Sequence, residues 1–245
     1  MMYRFGIWGI VALFACTAGA EESDPVDWQD PVWAELMATP PAASELTINE
    51  ITPSRAERLA EGEKAAELAL AAGDWAGAEQ QLLGLLVDYP EAHAIRLKLA
   101  SLQYGRGALS AAKAQLQQGI ELAPQQPALR LVLARILASE NRYAAAWKVL
   151  DGTEPALVEH LDYYSLKAEA GRRSGQCEEA MTLYHRLLAE QDSGPWWLGL
   201  GLCQRSLGQD FGAAFEQARA SVDLGMASLQ FVEQQLEQHG TTQTH

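Results

Sequence analysis

The sequence predicts an all-α fold over residues 54–240, a solenoid of about five helix–turn–helix repeats followed by a C-terminal capping helix. The main observation is a glycine or asparagine that recurs at intervals of 34, 34, 34 and 33 residues, at Gly73, Gly107, Asn141, Gly175 and Gly208. Such a period accommodates two helices of about a dozen residues and two tight turns. Because glycine and asparagine tolerate the left-handed conformation best, we expect each of them to end the first helix of a repeat.

Small residues recur at two further positions of every unit. Seven residues before each glycine or asparagine stand Ala66, Ala100, Ala134, Ala168 and Gly201, and five residues after it stand Ala78, Ala112, Ala146, Ala180 and Ala213. We expect these positions to let the two helices of a repeat approach closely. Four residues further on stand Leu82, Leu116, Leu150, Tyr184 and Gln217. Pro90 and Pro124 are also 34 residues apart, and a proline there ends the second helix.

Residues 59–226 resemble five consecutive tetratricopeptide repeats (TPRs), which start near Leu59, His93, Pro127, Leu161 and Gly194. In the fifth unit Trp197, Leu200 and Gly201 match the family's W-x-x-L-G opening. The resemblance implies a right-handed TPR solenoid whose first helices line a concave groove that binds protein segments. The third unit departs from the pattern, because residues 151–155 shorten its second helix. Residues 226–238 are expected to form the capping helix, and residues 241–245 a disordered tail.

The last part of the chain carries a narrower resemblance. Residues 195–201 (PWWLGLG), 207–209 (LGQ) and 229–236 (LQFVEQQL) are similar to the C-terminal part of the MSHA (type IV) pilus biogenesis protein MshN. This resemblance implies a cell-envelope protein that assists the assembly of a type IV pilus.

Residues 1–20 have the layout of an export signal, with Arg4, an apolar stretch over residues 5–15 and a small-residue ending over residues 18–20. Two other interpretations stay open. The segment Leu13-Phe14-Ala15-Cys16 resembles a lipoprotein signal, in which Cys16 would carry the lipid. The same stretch is also readable as a short uncleaved anchor, although its length is below the ~20 residues of a typical membrane span. All three predict the periplasm or cell envelope of a Gram-negative bacterium.

Residues 21–53 are expected to form an acidic, proline-containing linker that is largely disordered. They hold eight of the acidic residues and no Lys or Arg, in a chain whose net charge is -14. Residues 30–37 alone suggest a helix of one or two turns. Since an acidic surface repels phosphate, nucleic acid is excluded as a partner.

The residues predict no catalytic, cofactor-binding or metal-binding site, and therefore no enzyme. The five histidines never stand three or four residues apart, which is the spacing that places two ligands on one helical face. Outside the signal only Cys177 and Cys203 remain, without a C-x-x-C motif. They would be able to pair in an oxidising compartment, but two buried thiols are the favoured interpretation.

The TPR resemblance assigns the groove to particular positions of each first helix. Carried over to this sequence, they include Ser101, Tyr104, Leu131, Arg135, Glu169, Arg172, Arg173, Leu198, Leu202 and Arg205. Of these, Arg135, Arg172 and Arg205 recur about one repeat apart. Because a guanidinium can hold a carboxylate through two parallel hydrogen bonds, we expect the three arginines to attract an acidic segment or a C-terminal carboxylate. Ordinary exposed charge at helix ends is the alternative.

Two functions follow from these features. The first is a cell-envelope scaffold or assembly factor that binds protein partners through the groove, with a pilus as its site of action. The second is a periplasmic TPR chaperone that holds exported client chains, as TPR modules do in cytochrome c maturation.

Overall fold

The computed structural model describes residue 27, residues 29–38 and residues 52–243. The chain divides into two units, residues 1–52 and residues 53–245. In the first unit the described residues contain one helix, α1 (Pro31–Ala38), in keeping with the one or two turns expected there. The predicted signal over residues 1–20, with Cys16, lies outside the described residues. In the described part no helix is both long and apolar enough to cross a membrane.

The second unit consists of five helix pairs and a final helix. The pairs are α2 (Arg55–Ala71) with α3 (Trp75–Asp88), α4 (His93–Gly105) with α5 (Leu109–Leu122), α6 (Pro127–Ser139) with α7 (Tyr143–Leu150), α8 (Leu161–Arg173) with α9 (Cys177–Glu190), and α10 (Gly194–Ser206) with α11 (Gly212–Ala220). The final helix, α12 (Met226–Gln243), extends beyond residue 238, where the sequence suggested its end. The predicted all-α solenoid is confirmed, and four of the five repeat starts coincide with the first residue of a helix.

The turn inside each repeat contains one residue in the left-handed backbone conformation, and this residue is the recurring glycine or asparagine, as predicted. The backbone φ is +77° at Gly73 and Gly107, +85° at Gly175 and +71° at Gly208. The same turn in the third repeat is made by Asn141, with φ +59°. Because this region of φ disfavours residues with a Cβ, and asparagine tolerates it better than most, only these two residue types serve at this position.

The first helix of the solenoid begins four residues before the predicted start at Leu59. Ser54 accepts a hydrogen bond from the backbone N–H of Glu57 at 3.3 Å, and the Glu57 carboxylate accepts one from the backbone N–H of Ser54 at 2.7 Å. This reciprocal pair satisfies two N–H groups that a helix start otherwise leaves unpaired. A capping box therefore fixes the start of α2 at Arg55, ahead of the repeat pattern.

The small residues are buried where paired helices meet. Ala100, Ala134 and Ala168 on the first helices are completely buried, and so are their partners on the second helices in repeats two to four. In the fifth repeat Gly201 takes this position, and a methyl group added to it would overlap the ring of Phe215. The small side chains therefore set how closely the two helices of a repeat pack.

The fifth repeat corrects the predicted register of its second helix. Ala213 is exposed, whereas Ala214 is 3% exposed. In the same way Gln217 is exposed and Ala218 is completely buried. Here α11 begins four residues after the left-handed glycine, in place of two in the other repeats.

The cause of this shift is the side chain of Phe215. It is completely buried, lies against the position of Gly201, and packs against Phe211 with the ring centroids 5.0 Å apart. Directing Ala213 inward would turn Phe215 away from the space that Gly201 leaves.

Successive repeats are joined by one recurring hydrogen bond. The fourth residue of each later first helix carries a long side chain with a polar tip, and this tip donates to the residues that end the preceding repeat. The four bonds run from Arg96 Nη2 to Pro90 O at 2.7 Å, from Arg130 Nε to Pro124 O at 3.0 Å, from Tyr164 OH to Pro155 O at 2.6 Å, and from Trp197 Nε1 to Asp192 Oδ1 at 2.6 Å. We call these four contacts the junction bonds.

The third repeat is irregular, as predicted. Its second helix α7 has 8 residues and ends at Leu150, and a 3₁₀ turn over Leu157–Glu159 leads into α8. At the C-terminal end, α12 covers α11, with Val232 completely buried and the Phe231 ring 6.2 Å from that of Phe215. This contact gives α12 the capping role expected of the final helix.

Cys177 and Cys203 form a disulfide, which corrects the expectation of two free thiols. Cys177 is the first residue of α9, Cys203 lies on α10, and their Cα atoms are 5.1 Å apart. The residues are 26 positions apart in sequence, and only the packing of α9 on α10 brings them together. The bond therefore crosslinks the fourth and fifth repeats.

We expect Gly201→Ala to lower the free energy of unfolding by about 1–3 kcal/mol, because the added methyl group overpacks the α10–α11 contact. The matched control is Gly84→Ala, at an exposed helical glycine whose added Cβ meets nothing within 4 Å. The control should raise stability by about 0.5–1 kcal/mol, since alanine loses less conformational entropy in a helix. Urea unfolding followed by circular dichroism at 222 nm measures both, and equal effects of the two variants would contradict the close approach at Gly201.

Removing the disulfide by Cys177→Ala with Cys203→Ala should lower the stability of the C-terminal repeats by roughly 3–4 kcal/mol, since a crosslink of this loop length restricts the unfolded chain. Thermal unfolding with and without reductant tests this. Reductant should lower the unfolding temperature of the natural protein and leave that of the double variant unchanged. A natural protein that reacts fully with a thiol reagent before reduction, after purification from an oxidising compartment, would show that the bond does not form.

Candidate protein-binding groove

Three of the predicted groove residues lie together between successive first helices. Ser101, Tyr104 and Arg135 line a pocket of about 370 Å³ between α4 and α6. Arg135 Nη2 donates to Asp162 Oδ2 at 2.7 Å, and both side chains are more than half exposed. An exposed pair of this kind contributes only about 0–1 kcal/mol, so it is able to exchange with a ligand's carboxylate.

A second group of predicted residues lines a pocket of about 320 Å³ between α8, α10 and the start of α12. Its lining includes Glu169, Arg172, Arg173, Leu198 and Leu202. Eight of the ten predicted residues therefore lie in two pockets, both of them formed by first helices.

The remaining two predicted residues lie elsewhere. Leu131 is half-buried and packs against the hydrophobic core beneath the groove. Arg205 donates to the side chain of Gln235, and its guanidinium lies 5.5 Å from the ring centroid of Phe231. Since both partners of Arg205 belong to α12, this arginine helps to hold the capping helix.

A third pocket, of about 510 Å³, lies at the N-terminal end between α2, α4 and the start of α3. Its lining includes Glu67, Leu70, Trp75, Lys98 and Ser101, and Ser101 also lines the α4–α6 pocket. Glu67 and Leu70 stand at positions of the first repeat equivalent to those used to predict Ser101 and Tyr104, so the same rule would have found them. Trp75 belongs to a second helix, whereas the groove positions of the TPR resemblance lie only on first helices, so these positions do not predict it.

The charge of Lys98 is already compensated in this N-terminal pocket. Its Nζ donates to Glu63 Oε2 at 3.0 Å and to Glu67 Oε1 at 3.4 Å. The hydrogen bond that Lys98 donates to Glu63 raises the pKa of Lys98, and the pair with Glu67 adds to the effect. What the pocket offers a ligand is mainly the apolar surface of Leu70 and Trp75, which is 48% exposed.

The α8–α10 pocket is built around Glu169. Arg172 binds this carboxylate through two parallel hydrogen bonds, from Nε at 2.8 Å and from Nη2 at 2.7 Å. Arg173 Nε donates to the same carboxylate at 2.5 Å, and the hydroxyl of Tyr184 donates to it at 3.2 Å. Gly199 makes this last contact possible, because any side chain there would overlap the Tyr184 ring.

Burial and hydrogen bonding shift the pKa values of this cluster. Burial raises the pKa of Glu169, but the hydrogen bonds and charges of Arg172 and Arg173 outweigh that effect, and the pKa is lowered overall. The hydrogen bond to Glu169 in turn raises the pKa of Arg172. Burial, followed by the Glu169 charge, raises the pKa of the Tyr184 hydroxyl. At neutral pH the cluster therefore holds one carboxylate and two guanidinium groups, and its net charge is +1.

The groove thus consists of apolar surface between first helices, with most of its charges already paired inside the chain. Such an arrangement is able to bind a peptide segment by burying apolar side chains between helices. The three arginines that the sequence singled out are distributed differently. Arg135 and Arg172 lie in separate pockets, and Arg205 is bonded to the capping helix.

Over residues 63–170 the sequence matches models of a known repeat family. Two models of the tetratricopeptide repeat match residues 63–127 and residues 104–170. No curated protein matches the chain.

Solved structures support the same fold. The crystal structure of MamA protein is similar with a TM-score of 0.55 and 17% identity, over 66% of this chain and 91% of that one. MamA 41-end from Desulfovibrio magneticus RS-1 is similar with a TM-score of 0.55 and 14% identity, over 70% and 97%. A tetratricopeptide repeat protein from Parabacteroides merdae ATCC 43184 is similar with a TM-score of 0.52 and 14% identity, over 66% and 63%. At these identities the likeness shows the fold alone.

We expect Glu169→Gln to lower stability at neutral pH by about 1–3 kcal/mol, because it removes the charge that Arg172 and Arg173 bind. The folded pKa of Glu169 lies below its ordinary value of 4.5. Its contribution is therefore complete above pH 4.5 and disappears as the pH falls through the lowered value. The difference between the variant and the natural protein should narrow in that range.

Urea unfolding at neutral pH and below pH 4.5 measures this difference. Glu61→Gln, at an exposed residue of α2 that makes no ion pair within the described residues, is the matched control and should leave stability unchanged within about 0.5 kcal/mol. A pH-independent effect of Glu169→Gln would show that the carboxylate charge does not stabilise the site.

Proposed function

We propose that this protein is a cell-envelope scaffold or assembly factor that binds segments of partner proteins along the groove of its first helices. The observation that supports this most directly is the series of three pockets between first helices, at α2–α4, α4–α6 and α8–α10. Ser101 lines two of them, so an extended segment is able to occupy both. Each pocket has room for a side chain or two of a bound peptide.

Apolar anchors, more than charges, carry the proposed recognition. Trp75 and Leu70 offer apolar area in the first pocket, Tyr104 in the second and Leu198 and Leu202 in the third. Large apolar side chains dominate the binding energy of protein interfaces, whereas exposed ion pairs add little. A partner segment with apolar side chains spaced to reach successive pockets is the best fit.

The proposed location is the periplasm or the cell envelope of a Gram-negative bacterium. The Cys177–Cys203 disulfide supports it, because such bonds persist in oxidising compartments and are rare in the cytosol. The sequence pattern of residues 1–20 supports it independently. A soluble form, a form lipidated at Cys16 and a form anchored by residues 1–20 all agree with this location.

Assembly of a type IV pilus is the narrower form of the proposal. It rests on the resemblance of residues 195–201, 207–209 and 229–236 to MshN, and on no other observation. The alternative is a periplasmic chaperone that holds exported client chains. The two differ in the partners they retain: a scaffold binds one or a few folded proteins in fixed proportion, and a chaperone binds many unfolded ones.

A variant that fills the groove tests the proposal. Ser101→Arg places a long side chain at an exposed position shared by two pockets, and we expect it to reduce retention of the partner by about tenfold or more. Ala114→Arg is the matched control, since Ala114 is an exposed residue of α5 that lines none of the pockets described above. Affinity capture from detergent-solubilised envelopes, quantified by mass spectrometry, measures both.

The outcomes separate the candidates. A defined partner that is retained in fixed proportion by the natural protein and by Ala114→Arg, but lost with Ser101→Arg, is the expected result. Retention of many unfolded exported chains would favour the chaperone. Retention that both variants leave unchanged would remove the groove as the binding site.

A further inference from the structure

A fourth pocket lies on the second-helix side of the solenoid and is basic. It has a volume of about 540 Å³ and lies between α5, α6 and α7. Its lining includes Lys113, Arg130, Arg142 and Lys148, and no acidic residue among the described ones. Four of the chain's 18 Lys and Arg residues therefore meet in one pocket of a protein with a net charge of -14.

Internal contacts compensate only part of this charge. Glu140, which does not line the pocket, accepts hydrogen bonds from Lys113 Nζ at 2.5 Å and from Arg142 Nη1 at 3.5 Å. Arg130 donates to two backbone carbonyls, those of Pro124 and Val149, so its charge has no carboxylate partner there.

Lys148 is exposed and makes no hydrogen bond or ion pair with any residue that the structure describes. With one carboxylate among four cations, the pocket keeps a local charge of about +3. Such a site attracts an anion over roughly a Debye length, about 8–10 Å at ordinary salt.

The pocket also has an apolar floor. Leu133 and Leu137 of α6, together with Ala145 and Val149 of α7, lie between the cationic groups. An inorganic anion would use the charges and leave this floor in contact with water. A ligand that carries carboxylates and aliphatic groups together uses both, and an acidic segment of a protein has this composition.

The surroundings distinguish a local ligand from an extended anionic surface. The neighbouring pocket, between α7, α8 and α9, contains Asp151 and Glu179 in its lining, with Lys167 as its one cation. A membrane rich in anionic lipid would bring negative charge against this acidic neighbour as well as against the basic pocket. Only a ligand about the size of the pocket avoids that repulsion.

We propose that the pocket between α5, α6 and α7 binds an acidic, aliphatic-containing segment of a partner protein. The site lies apart from the three first-helix pockets and does not depend on the function proposed for them. Arg130 and Lys148, which pair with no carboxylate among the described residues, supply most of the attraction for the ligand's carboxylates. Lys113 and Arg142 share the Glu140 carboxylate, and the aliphatic floor receives the apolar side chains. The protein then has two binding surfaces, one for apolar anchors and one for acidic segments.

The test uses the full chain and a fluorescein-labelled peptide that alternates Glu with Leu, and fluorescence anisotropy at low salt measures the binding. The variant is Lys148→Glu, which changes an exposed, unpaired side chain and leaves the Glu140 contacts in place. Its matched control is Lys64→Glu, because Lys64 is an exposed α2 residue that also makes no ion pair among the described residues and undergoes the same charge change. A peptide with Gln in place of Glu controls for the apolar contribution.

We expect saturable binding of the Glu peptide that Lys148→Glu weakens by about five- to tenfold, because one attraction is lost and one repulsion is added. Lys64→Glu should change the affinity by less than about twofold, and raised salt should weaken binding to the natural protein. Absence of saturable binding, an equal loss in both variants or equal binding of the Gln peptide would overturn the proposal. So would displacement of the peptide by inorganic phosphate but not by sodium chloride of equal ionic strength, or stronger association with vesicles of phosphatidylglycerol that Lys148→Glu abolishes.

Discussion

The junction bonds are the interaction on which the arrangement of repeats depends. In a solenoid each repeat contacts only its neighbours, so the angle at each junction decides where the next pair of helices lies. Arg96, Arg130, Tyr164 and Trp197 occupy the same position of four successive repeats, and each donates to the segment that ends the repeat before it. Three of the acceptors are the carbonyls of Pro90, Pro124 and Pro155, and the fourth is the carboxylate of Asp192. Because each bond forms only when its donor and acceptor lie within hydrogen-bonding distance, the four bonds together favour one placement of each repeat on the repeat before it.

A second constraint keeps adjacent repeats in order. Glu79 pairs with Arg106 at 2.6 Å, and one repeat later Lys113 pairs with Glu140 at 2.5 Å. These are equivalent positions with the charges reversed. Shifting the packing by one repeat would oppose like charges, which disfavours the wrong pairing of similar units. Because of this reversal, Lys113 stands on a second helix at the position where the first repeat has Glu79. Lys113 also lines the basic pocket.

The sequence predicted what depends on local rules and missed what depends on packing between repeats. Backbone conformation alone demands Gly or Asn at the turns, so helix pairs and most repeat starts were readable. The register of α11 depends instead on Phe215 finding the space at Gly201, and the disulfide depends on how α9 packs on α10. For the groove, the positions carried over from the TPR resemblance placed eight of ten residues in pockets. Those positions carry no information on which side chains bind one another. The rules therefore gave no sign that Glu169 binds Arg172 and Arg173, or that Arg205 holds the capping helix.

The distribution of charge separates the two sides of the solenoid in function. On the first-helix side Lys98, Arg135 and Arg172 each have a carboxylate of the chain itself, so a ligand that brings a carboxylate must displace one and gains little. On the second-helix side Arg130 and Lys148 have no carboxylate partner among the residues that the structure describes. A ligand's carboxylate therefore adds an attraction there without removing one. Affinity in the groove should therefore depend on apolar contact and respond weakly to salt, whereas affinity in the basic pocket should fall steeply as salt rises. A partner that carries both an apolar and an acidic segment would occupy both surfaces at once, and the second contact would form at the high effective concentration that the first provides.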